Sequence, residues 1–167
     1  MKTILLILMS VLIIVVFAKL PANAVMSINV LHECQDKVGK LQDKIMDLKG
    51  DITDFAKNNN TNSSFDDTTR ALDVASDLDV YLAKLAHLSS LLRIIEIITN
   101  SDERDQVIQI MNVHIKYVSK VEPAITFINE LSSHTKSPAL VSLCNQAKVE
   151  LRNGQELLKY IGLNINQ

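Results

Sequence analysis

The chain has no tryptophan and only 4% aromatic residues, so it offers few stacking platforms for bases or sugar rings. Its formal net charge of −2 lacks the basic excess that a nucleic-acid surface requires. Only four glycines and three prolines occur. No glycine-rich phosphate cradle and no Gly-x-Ser-x-Gly elbow is present. No sustained alternation of period two marks a strand, which speaks against a sheet.

Metal-binding patterns are equally scarce. Of the four histidines, His32, His87, His114 and His134, none lies one helical turn from another. No Glu-x-x-His motif occurs, which rules out the usual di-iron bundle site. Glu130 and His134 are one turn apart, but two ligands do not make a site. The sequence therefore assigns no catalytic residue, no cofactor and no metal ligand, and the chain reads as non-enzymatic.

What is present begins with residues 1–24. Lys2 supplies a positive start. Ile4 to Phe17 is apolar except for Ser10, and Ala22-Asn23-Ala24 follows Pro21 as a small-x-small cleavage site. This run is short of the roughly 20 residues that a spanning helix needs. It predicts a cleaved signal peptide; the alternative is an uncleaved anchor. The mature protein would be a single domain over residues 25–167, secreted (periplasmic if the source is bacterial). Loss of Lys2 and Lys19 would leave 15 basic and 19 acidic residues, a net −4. No later apolar run approaches membrane length, so the mature form is not expected to be membrane-embedded.

The mature chain divides into four segments with apolar residues at alternating steps of three and four, the period of a helix seam and of coiled-coil-like packing. The first seam reads Leu31, Cys34, Val38, Leu41, Ile45, Leu48, Ile52, Phe55, and the second Val74, Leu78, Tyr81, Leu85, Leu88, Leu92, Ile95. Leu82, Leu91, Ile94, Ile97 and Ile98 widen the second, so its C-terminal end is expected to be the most buried. The third reads Val107, Ile110, His114, Tyr117, Val121, Ala124, Ile128, Leu131, widened by Met111, Val118 and Ile125. The fourth reads Leu140, Cys144, Ala147, Leu151, Gly154, Leu158, Ile161. The fold class is therefore all-α, an antiparallel bundle of four long amphipathic segments. Asn100 with Glu103 fits a capping box, and Ser137-Pro138 a helix start. Asp36, Asp43, Asp47, Asp51 and Asp54, interleaved with lysines, form a solvated face of the first helix.

Cys34 and Cys144 are the only cysteines. In an oxidising compartment two cysteines usually pair; the alternative is two small core residues. In a simple up-down-up-down bundle they would lie roughly 20 Å apart at 1.5 Å rise per residue, beyond disulfide reach. Pro123 suggests a resolution. A chain reversal near Ser119–Pro123 would flip the last helix and level the cysteines, whereas a mere kink would not. The expectation is a Cys34–Cys144 disulfide together with that reversal. Asn59 and Asn62 head glycosylation acceptor triplets in a polar, Asn-rich loop, so the protein is a candidate glycoprotein.

Secreted plant-type invertase and pectin methylesterase inhibitors are helical bundles of similar size. They carry a cysteine pair near the mature N-terminus, where this chain has only Cys34, so the likeness ends at size and architecture. Function is expected to lie in binding a protein partner, or a second copy, through a helical face. The alternatives are a carrier of an apolar small molecule or lipid held between helices, motivated by the surplus apolar width of Leu82–Ile98 and Ile110–Ile128, and a secreted inhibitor-type bundle.

Overall fold

The computed structural model describes residues 27–58 and 65–165. The expected signal peptide and the acceptors Asn59 and Asn62 lie outside the described residues. Those residues form five helices and no strand: α1 (Ile28–Asn58), α2 (Phe65–Ile97), α3 (Ser101–Val118), α4 (Glu122–His134) and α5 (Pro138–Ile165). No described helix is long and apolar enough to cross a membrane.

The capping residues act as their chemistry requires. Asn100 Oδ1 accepts from the amides of Asp102 (2.9 Å) and Glu103 (3.3 Å), satisfying donors that open α3. Ser137 Oγ accepts from the Leu140 amide at 3.4 Å, ahead of Pro138 at the first position of α5.

Side-chain bonds fix the topology. Along α2 and just past its end, the Arg104 guanidinium donates to the Ile98 carbonyl, His114 Nε2 to the Lys84 carbonyl, and the Arg70 guanidinium to the His134 carbonyl. As residue numbers rise from 104 to 134 their partners fall from 98 to 70. Thus α3 and α4 together form one rod antiparallel to α2. The same rod runs antiparallel to α5, where Gln155 Nε2 donates to the Ser119 carbonyl and Lys148 Nζ to Asn129 Oδ1. The first helix packs against α2 and α5, and α3 and α4 do not pack on each other. Five helices thus make four rods of an up-down-up-down bundle.

Two expectations are overturned here. Helix three does stop, at Ser119–Val121, but the chain continues in the same direction instead of reversing. Cys34 and Cys144 are therefore free, buried and unbonded. The Lys37 ammonium sits 3.9 Å from the centre of the Tyr160 ring, so the Cys34 end of α1 is level with Tyr160. Cys144 lies sixteen residues earlier on α5, roughly 24 Å away along the axis. Burial pushes the Cys34 thiol up to about 11, with Glu33 adding to the shift, and raises Cys144 as well. Both behave as small core residues, protonated and unreactive.

The seams of α1, α2 and α5 are buried as the sequence predicts, except that Ala56 replaces Phe55 as the last fully buried residue of α1. The third seam is displaced within α3. There Ile110 and Tyr117 are 53% and 58% exposed, while Met111, Ile115 and Val118 fill the core; past α3, Val121 and Ile128 are buried as the seam predicts, joined by Ile125. Both sets obey the three-four spacing, so periodicity alone could not separate them. The C-terminal end of α2 is also not the most buried, since Ile97 is 75% exposed.

Candidate functional site

The break between α3 and α4 creates the most distinctive surface of the bundle. Pro123 has no amide hydrogen and cannot continue the α3 ladder. Val121 occupies the N-cap of α4 without a side-chain cap, so the first turn of α4 has no side-chain oxygen to receive its amides. Beside this break lies a groove of about 550 Å³ between α2, α3, α4 and α5. Its walls are Val80, Tyr117, Pro123, Ala124 and Phe127, with Tyr81, Val121 and Leu151 below. Lys84 and Lys120 are its cations and Asp77 its one carboxylate. That volume falls within the about 300–1,000 Å³ of small-molecule sites.

The charged residues lining the groove are net positive. The Lys84 ammonium lies over the Tyr117 ring, 4.7 Å from its centre. Among the described residues neither Lys84 nor Lys120 forms a salt bridge. Burial, reinforced by the Asp73 charge, raises the Asp77 carboxyl above the usual range, with Lys84 acting in the opposite sense. Glu122 is exposed in the first turn of α4 and does not line the groove.

Tyr81 forms part of the floor. It is 4% exposed, its hydroxyl has no hydrogen-bond partner, and burial pushes its pKa up. The hydroxyl stands over Gly154 of α5, where any Cβ would overlap it. Gly154 is thus required by close approach, not by backbone conformation.

Above the groove the apolar surface continues along α3. Ile110, Val113 and Tyr117, spaced at three and four, are 53%, 51% and 58% exposed, and Val80 and Phe127 flank the lower end. His114, on the inner side of that stripe, donates to the Lys84 carbonyl at 2.9 Å and meets His87 edge to face, ring centres 4.4 Å apart. Desolvation lowers its pKa below 6.5; the bond to Lys84 opposes this, and the charges of His87 and Lys84 add to the lowering.

The remaining histidines are placed apart. His32 pairs with Glu96 at 2.9 Å, and His134 Nδ1 donates to the Glu130 carbonyl at 2.7 Å, so Glu130 and His134 are joined through the backbone. Among the described residues no three His, Cys, Asp or Glu side chains gather as a metal site. The groove residues Val80, Lys84, Lys120 and Phe127 were not singled out by sequence. The signal available was the second three-four stripe in α3 and the proline next to it.

No protein-family model, curated protein or solved structure matches the chain.

Proposed function

We propose that this protein is an exported, non-enzymatic bundle that binds a protein partner through the face formed by α2, α3 and α4. The observation that carries the reading is the exposed stripe Ile110–Val113–Tyr117, extended by Val80 and Phe127. Scattered exposed apolar residues are ordinary, but a stripe along one helix beside a groove is the geometry of helix-in-groove recognition. Lys84, Lys116 and Lys120 border it, which favours an amphipathic partner helix with acidic flanks. The signal peptide expected from residues 1–24 supports an exported location.

A photo-crosslinking residue tests this reading. Placed at Val113 in the secreted protein it should capture one defined partner, and Tyr117→Asp should abolish capture with the thermal midpoint unchanged. A crosslinker at Met46, exposed on α1, serves as the control. Equal capture of the same protein from Met46 would refute the assignment of this face.

A second reading, a small-molecule carrier, is favoured by the groove itself. Its volume and its apolar walls are features of a ligand site more than of a flat docking face.

A further inference from the structure

The groove holds three sources of positive potential around one apolar slot. Lys84 enters from α2 and Lys120 from the α3–α4 break, and the first turn of α4 begins at Val121 with no side-chain cap. A helix N-terminus contributes partial positive charge; of that turn Ala124, which carries an amide, and Pro123, which does not, line the groove, while the opposing Glu122 carboxylate is exposed outside the lining. Asp77 is the only opposing charge among the lining residues, so their formal sum is positive although the chain as a whole is negative. Away from the lysines the lining is apolar: Val80, Tyr117 and Phe127 at the sides and Leu151 at the base.

Resting on the small-molecule reading above, we infer that this groove binds a single-chain anionic amphiphile, its carboxylate held by Lys84, Lys120 and the first turn of α4 and its hydrocarbon body laid along Val80, Tyr117 and Phe127. The charge arrangement selects the acid over the neutral chain. An alcohol of the same length would bury the same apolar surface but leave both ammonium groups without an anion. An extended bilayer is a worse fit, because the cations sit at a slot between helices and not on a broad basic face.

Isothermal titration of the full mature chain with dodecanoate, below its micellar concentration, provides the test. Saturable one-to-one binding is expected, weakening as salt rises. Dodecanol should bind at least about tenfold more weakly, and Lys84→Gln and Lys120→Gln should each weaken dodecanoate by about tenfold, the scale of one lost charge-assisted hydrogen bond. Lys44→Gln, on exposed α1 surface, should change nothing. Circular dichroism melts confirm that each variant is folded. Equal affinity for dodecanol and dodecanoate, or indifference to both lysine variants, would overturn the anion assignment and leave a general apolar carrier. Failure of both ligands to saturate would overturn the carrier reading as well. Sedimentation with phosphatidylglycerol vesicles at comparable affinity would replace the single-chain ligand with a membrane surface.

Discussion

The first helix and the α3–α4 rod face opposite sides of the bundle and use apolar residues differently. In α1 the seam from Leu31 to Ala56 is a single stripe, every member of which is buried against α2 and α5. Its other faces carry charge, including the ion pairs Lys37–Glu33 and Lys40–Asp36 at 2.7 Å each. In α3 two stripes run side by side. One, Met111–Ile115–Val118, is core; the other, Ile110–Val113–Tyr117, remains in contact with solvent. A helix with one apolar stripe has one packing solution. A helix with two satisfies the core with one and leaves the other for something else, and here the second stripe leads into the groove at the break.

The largest expected effects lie on the single-stripe side. Ile45 and Leu85 are fully buried. Replacing either with Ala should cost about 2–5 kcal/mol in equilibrium denaturation, whereas Lys44→Ala, on the surface, should stay within about 0.5 kcal/mol. Equal losses at Ile45 and Lys44 would show that the Leu31–Ala56 stripe is not the packed face of α1.

The contact between Tyr81 and Gly154 should give the next largest effect. Gly154→Ala forces a Cβ into the Tyr81 hydroxyl and ring, and overpacking of this kind costs about 1–3 kcal/mol. Tyr81→Phe removes a buried hydroxyl that has no partner. It should be neutral or stabilising, and in the double variant it should recover part of the Gly154→Ala loss. A strongly destabilising Tyr81→Phe would mean that the hydroxyl is bonded in solution.

A smaller effect separates the two sides by pH. The folded protein lowers the His114 pKa, chiefly by desolvation, below the ordinary value of 6.5. The unfolded chain then binds more protons than the folded one in the window below 6.5, so this contribution is intact above that pH and is lost as pH falls. Thermal midpoints should decline over that window, less steeply in His114→Gln. An unchanged slope in the variant would show that His114 does not couple protonation to the α2–α3 contact.

The smallest effect expected is none at all. With Cys34 and Cys144 unbonded, reductant should leave the melting midpoint unchanged, and both thiols should be alkylated once the protein is unfolded without reductant. A mass showing one intact disulfide would contradict the continuous α3–α4 rod.

The all-helical class and three of the four seams were legible because α1, α2 and α5 each present a continuous three-four stripe. Asn100 and Ser137 were legible as caps because their side chains satisfy local backbone amides and depend on little else. The path at Pro123 was not. A proline stops the hydrogen-bond ladder without specifying the angle at which the chain resumes, and that angle is set by distant partners such as Gln155 on Ser119 and Arg70 on His134. The disulfide expectation failed for the same reason, since it required a reversal that only tertiary contacts could decide. The phase of α3 was hidden by its second stripe, and the exposure of Ile97 by the surplus apolar width of α2, which periodicity alone does not divide into buried and exposed faces. The groove needed all of these at once, because it is assembled from α2, α5 and both sides of the break.

The helix α3 turns Met111, Ile115 and Val118 inward and leaves Ile110, Val113 and Tyr117 outside. Equilibrium urea denaturation of Ile110→Asp and Ile115→Asp, side by side, tests it most directly. Ile110→Asp should unfold at the same midpoint as the parent, while Ile115→Asp, with a charge buried in the core, should fail to fold or unfold at a far lower concentration. The reverse order, with Ile110→Asp the damaged variant, would contradict it.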